Sequence, residues 1–163
     1  MRKFFFLLAA LALLPFAAQA EDTDNGPHGP LPRFASLRSG EANLRTGPGT
    51  RYPIEWVYTR RSLPVEIIAE YDVWRRVRDP EGNEGWFHKT ELTAKRSALV
   101  SGGTQELRDD ADDKSPVVAH LEPGAMGQIL SCKPDWCKLK FEGVKGYLRK
   151  TQFWGAYPNE TFD

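Results

Sequence analysis

The sequence predicts an all-β protein built from two small β-barrels in tandem, and three observations carry that expectation. Short apolar-alternating runs begin at Phe34 and are punctuated by Gly, Pro, Asn and Asp, the pattern of strands joined by tight turns. Beyond the first twenty residues, no stretch longer than a turn carries helical spacing with caps at both ends. The second half of the chain then repeats the first at a nearly fixed offset.

Taken in order, Met1-Arg2-Lys3 is a short positive start. Phe4 to Phe16 is an apolar run broken only by Pro15, and Ala18-Gln19-Ala20 places small residues where a signal peptidase reads. These are the three parts of a secretory signal peptide over residues 1–20, with cleavage expected after Ala20. The run is too short for a spanning helix, which needs roughly 20 apolar residues. The expectation is an exported chain, periplasmic or secreted, with no stable membrane insertion once the leader is gone. Residues 21–33 hold three prolines and no apolar periodicity, and read as a disordered tether.

Within residues 34–92, strands are expected at Ile54–Tyr58, Val65–Tyr71, Trp74–Arg78 and Gly85–His88, with Asp79-Pro80-Glu81-Gly82-Asn83 as a turn. Residues 99–153 form the second copy. Gly82 to Leu92 lies over Gly143 to Phe153 at an offset of 61, Trp74 over Trp136 at 62, and Leu44-Arg45 and Pro53 over Leu107-Arg108 and Pro116 at 63. A register that drifts by one residue at two turns is what loop-length variation between two copies produces. Each unit of about 60 residues sits near the lower size limit for independent folding. The connector from Thr93 to Ala98 is too short to let them roam, so they are expected to pack together or hold a restricted angle. Residues 154–163 are left as a C-terminal tail.

Ala42-Asn43-Leu44-Arg45-Thr46-Gly47-Pro48-Gly49-Thr50-Arg51-Tyr52-Pro53, followed by Trp74-Arg75-Arg76-Val77 and Gly85-Trp86-Phe87, resembles the bacterial SH3-domain family. The resemblance covers nearly all of Ser36 to Leu92. The second unit is a degenerate copy in which Asp109-Asp110-Ala111-Asp112-Asp113 replaces the Gly-Pro-Gly loop. The family implies two tandem SH3-like barrels that bind ligands rather than transform them, commonly cell-wall peptides or glycans. The expected partner is therefore cell-wall peptidoglycan or its peptide fragments. The alternative is an envelope protein whose extended peptide docks on the barrels, with the chain acting as an adaptor.

Tyr52, Trp56, Tyr58 and Trp74 are the groove candidates, since aromatic faces bind sugars and extended peptides while their polar tips orient them. Trp86 is a weaker one, and each ring has a competing role in filling a very small core. Gly47 and Gly49 are expected to adopt backbone angles closed to other residues, with Pro48 stiffening the turn between them. Barrel closure is expected to remove strand edges and leave binding to loops and an aromatic face. Arg60-Arg61 and Arg75-Arg76-x-Arg78 read either as a basic rim for carboxylates or phosphates, or as solvated faces balanced by Glu55, Glu66 and Glu70.

Cys132 and Cys137 flank Lys133-Pro134-Asp135-Trp136, a turn, and in an oxidising compartment they are expected to form a disulfide. A metal site would need more ligands than these two. The acidic loop lacks the EF-hand spacing and reads as a solvated loop. Without the leader, 20 basic residues (22 less Arg2 and Lys3) face 22 acidic ones. That balance lacks the electrostatic footprint of a nucleic-acid binder. His28, His88 and His120 are scattered, and no nucleophile motif, phosphate loop or paired zinc-ligand motif occurs. No enzyme activity and no cofactor are expected.

Overall fold

The computed structural model describes residues 28–163. The leader and most of the tether expected from the sequence lie outside the described residues.

Fourteen strands fall into two seven-stranded antiparallel sheets. The first contains β1 (Arg33–Leu37), β2 (Ala42–Arg45), β3 (Ile54–Tyr58), β4 (Pro64–Tyr71), β5 (Trp74–Arg78), β6 (Glu84–His88) and β7 (Leu92–Thr93). The second contains β8 (Ser97–Val100), β9 (Gln105–Arg108), β10 (Val117–Leu121), β11 (Met126–Cys132), β12 (Trp136–Phe141), β13 (Val144–Arg149) and β14 (Phe153–Trp154). A short 3-10 turn precedes the last strand of each sheet, at Lys89–Glu91 and Lys150–Gln152.

The order β3-β2-β6-β5-β4-β1-β7 recurs strand for strand as β10-β9-β13-β12-β11-β8-β14. Register repeats as well. Ile67 faces Val77 where Ile129 faces Leu139, and the bulge between Ile67 and Ala69 returns between Ile129 and Ser131. The two offsets read in the sequence, 62 here and 61 for Gly85 and Gly146, are therefore those of structurally equivalent positions. Both glycines are forced by packing. A Cβ on Gly85 would sit 2.5 Å from Leu44, and one on Gly146 2.6 Å from Leu107, so each core leucine occupies the space over a glycine of the adjoining strand.

One expectation fails. β3 and β7 each have a single neighbour, as do β10 and β14, so the curled sheets keep open edges. The reason is connectivity: β7 and β14 are two residues long and pair only with β1 and β8.

Each unit has its own core, Val65, Ile67, Val77 and Phe87 in the first, Leu107, Ile129, Leu139 and Leu148 in the second. They also pack on each other. Leu99 and Met126 of the second unit rest against the first core. The hydroxyls of Ser36 and Ser97 meet at the buried junction, and Ser97 Oγ donates to the Ser62 carbonyl at 2.6 Å. The final segment is tied down too. Tyr157 Oη donates to Glu66 Oε1 at 2.8 Å, the Phe34 ring packs against Trp154 and Tyr157, and Phe162 pairs with Cys132. Burial, then the bond to Glu66, raises the Tyr157 phenol above its ordinary pKa.

Cys132 and Cys137 form a disulfide across β11 and β12, at opposed positions whose Cα atoms are 4.1 Å apart. At the equivalent positions of the first unit stand Glu70 and Arg75, opposed in register and ion-paired at 2.9 Å.

Candidate functional site

The loop after β2 is closed by its own backbone. Thr46 N donates to Pro53 O, Gly49 N to Gly47 O and Tyr52 N to Gly49 O, while Arg45 Nη1 reaches the carbonyls of Thr50 and Tyr52. The acidic loop makes the same set: Asp109 N to Pro116 O, Asp112 N to Asp110 O, Ser115 N to Asp112 O, and Arg108 Nη1 to Ser115 O. The fold thus keeps one loop conformation with two sequences. Neither Gly47 nor Gly49 has a positive φ, which corrects the expectation of special backbone angles. What Gly47 supplies is room, because a Cβ there would lie 2.5 Å from the Tyr52 ring. The second unit has Ser115 in place of the tyrosine and tolerates Asp110 in place of the glycine. Tyr52 is consequently a half-buried clamp on this loop, capped by the Arg51 guanidinium at 5.2 Å from its centroid.

Trp74 is 8% exposed and stacks edge-on against His88, its cross-strand partner, so it does not line the groove described next. The register that opposes these two side chains covers the indole. In the second unit the same pair is Trp136 and Arg149, with the guanidinium 4.5 Å from the ring centroid.

Trp56 and Tyr58 do come together. They line a groove of about 400 Å³ with Val57, Leu63, Asp79 and Pro80, and Leu99 of the second unit completes its wall. Trp56 is 55% exposed on the open edge strand β3, next to exposed Val57. Tyr58 is held in place: its hydroxyl donates to Asp79 Oδ2 at 2.7 Å, and its ring meets Phe87 edge-on. Burial, followed by the bond to Asp79, pushes the Tyr58 phenol above its ordinary pKa.

Asp79 itself is buried and also accepts from the backbone N–H groups of Glu81 and Asn83 and from Asn83 Nδ2. Burial alone would raise its carboxyl, but these donors together hold it below the usual carboxylate value. Asp79 therefore organises the Asp79–Asn83 turn as a fixed rim, and Arg60 marks the other end by donating to the Gly124 carbonyl across the junction. The sequence pointed to neither Asp79, Pro80 nor Leu99 as site residues. The Asp-Pro-x-Gly-Asn turn was visible, but its place beside Trp56 depends on the β5–β6 register.

The second arginine cluster is neutralised. Arg75 pairs with Glu70, Arg76 with Glu84, and Arg78 with Glu66 and Glu84, so this face is charge-balanced, with Glu84 in place of the expected Glu55, although Arg75 and Glu66 are buried rather than solvated. In the acidic loop, Asp113 pairs with Arg149, which holds the Asp113 carboxyl below its ordinary pKa. Among the described residues, no group of three or more His, Cys, Asp or Glu side chains is arranged to hold a metal ion.

The chain is thus a tandem of small antiparallel units, the first of which carries an open aromatic groove. The sequence matches the bacterial SH3 domain family over residues 38–93 and again over 101–155, more than half of its length, and the chain belongs to that family. It has no match among curated proteins. Among solved structures it is similar to NlpC2 from Trichomonas vaginalis (11% identity, TM-score 0.36, 77% of this chain and 48% of that one). NlpC1 from the same organism gives 11% identity and a TM-score of 0.36 over 81% and 49%. An NlpC/P60 family protein from Bacillus cereus ATCC 10987 gives 16%, 0.34, 76% and 57%. The chain spans about half the length of these structures.

Proposed function

We propose that the chain is an exported, non-catalytic binding module of the bacterial cell envelope that recognises peptidoglycan or its peptide fragments through the groove of the first unit. The observation that carries this reading is Trp56, a large ring left exposed beside a groove whose other aromatic is pinned by a buried carboxylate. A ring fixed at one edge and an exposed ring beside it suit the apolar face of a sugar or a short peptide. Family membership supports the wall as the source of that ligand. The second unit acts as a support, since Leu99 finishes the groove wall and the disulfide braces its own β11–β12 hairpin.

The test is retention of the purified chain by cell-wall sacculi at moderate salt, with Trp56→Ala beside it. Because Trp56 is exposed, the variant keeps its Tm. Loss of retention in the variant supports the reading, and a parent that is not retained refutes it.

A second reading, docking of an envelope protein's extended peptide, is favoured by the open edge of β3, whose unpaired backbone groups can add a strand. Stoichiometric co-purification of one envelope protein, lost on replacing Val57 by Pro, would support it over the first.

A further inference from the structure

A second cavity of about 450 Å³ lies between the units, shares no lining residue with the groove of Trp56 and Tyr58, and differs from it in chemistry. Arg38, Arg61, Lys95, Arg96 and Lys140 all line it, and no carboxylate does among the described residues. This concentration is not a reflection of the whole chain, in which 22 basic and 22 acidic residues balance. Nor is it a face like that of Arg75, Arg76 and Arg78, where every guanidinium has a glutamate.

The five cations divide by how they are held. Arg96 is engaged, bonding both oxygens of Glu160 and the Gly155 carbonyl. Arg38 directs Nε and Nη2 at the Leu92 carbonyl, which fixes its guanidinium at the rim. Arg61, Lys95 and Lys140 are exposed and make no ion pair among the described residues. Arg61 belongs to the turn before β4, Lys95 to the connector, and Lys140 to β12. Three like charges therefore converge from three separate segments and both units on one concavity. Like charges gathered without counter-charges repel one another, and a concave low-dielectric wall concentrates their field on whatever enters.

We infer that this cleft is a binding site for a small, multiply charged oxyanion bearing phosphate or carboxylate groups, held jointly by Arg61, Lys95 and Lys140. Arginine and lysine together supply a planar fork and mobile ammonium donors, which suits an anion with several oxygens presented in different directions. Neither unit makes the site alone, because Lys140 comes from the second and Arg61 from the first. The site is independent of the aromatic groove and of the wall-binding reading.

The experiment is calorimetric titration of the purified chain at low ionic strength with inorganic pyrophosphate in one arm and citrate in the other. The expected result is saturable binding of one anion per chain. A Lys95→Gln, Lys140→Gln double variant should weaken it by about tenfold or more, the scale of a lost charge-assisted hydrogen bond. Lys114→Gln, an exposed cation in the acidic loop, should leave it unchanged, and so should Trp56→Ala. Binding in the pyrophosphate arm alone assigns a phosphate-bearing ligand, and binding in the citrate arm alone or in both assigns carboxylate recognition. Binding in neither arm overturns the inference, as does equal weakening by Lys114→Gln, which would reduce the effect to overall charge.

Discussion

The ring of Tyr52 occupies the space that a side chain at Gly47 would need, with only 2.5 Å between the ring and an added Cβ. The tyrosine and the glycine are therefore one unit of sequence. Gly47→Ala should destabilise the first unit by about 1–3 kcal/mol, the usual cost of overpacking. In a Tyr52→Ser background the same change should cost far less, because the pair then resembles Asp110 and Ser115. Urea unfolding of the four proteins gives the coupling energy directly. Additive effects would show that the ring does not set the glycine.

Asp79 gives a pH dependence of definite sign. Its folded pKa lies below the unfolded value of about 3.9, so its contribution to stability is present above that value and lost as pH falls through the folded pKa. Tyr58→Phe removes one donor, so the Asp79 carboxyl should titrate closer to its ordinary value, measured by carbon-13 NMR of the side chain. The variant should also lose about 1.5–3 kcal/mol in urea unfolding at neutral pH, as for a hydrogen bond to a charged group. An unmoved Asp79 titration would show that Asn83 and the turn backbone suffice.

Lys150 is 8% exposed and spends its ammonium on three carbonyls, those of Pro134, Pro158 and Glu160. It thereby joins the Cys132–Cys137 turn to the final segment. Lys150→Met leaves three acceptors without their shared donor and should cost about 1–3 kcal/mol. Amide exchange at Phe162 and Cys132 should accelerate before that of Leu139, since the link to the last segment is what loosens.

Reducing the disulfide should cost about 2 kcal/mol on chain-entropy grounds for so short a loop. Because Glu70 and Arg75 sit at the equivalent positions, a Glu70→Cys, Arg75→Cys protein should form a second bridge on air oxidation, read as the absence of free thiol. Persisting thiols would mean that the two hairpins differ in geometry.

How much of this was legible in the sequence follows from the range of the interactions. β3 and β5 were readable to the residue, and β4 and β6 to within one, because alternation and turn residues are local signals. The repeat register was readable for the same reason. The groove is half legible: of Tyr52, Trp56, Tyr58 and Trp74, only Trp56 and Tyr58 line it, because the β5–β6 register sets Trp74 against His88 and Tyr52 packs over Gly47 in its own loop. Leu99 was out of reach, since its place depends on how two separate units meet. The final segment, 154–163, carries no strand alternation, yet Trp154, Tyr157 and Phe162 all fall within its ten residues, an aromatic density that signals packing rather than a free tail.

The clasp formed by Phe34, Trp154 and Tyr157 has a mechanical consequence. It joins the first strand of the leading unit to the closing segment of the trailing one, so the two ends of the folded region lie side by side. Tension applied from before Arg33 and after Phe162 enters where β1 pairs with β4 and where Phe162 pairs with Cys132, so the clasp and the Tyr157–Glu66 bond share the load with both sheets. Opposed pulls at neighbouring ends act across a short span, so the clasp turns an end-to-end stretch into a local peel at one corner of the molecule.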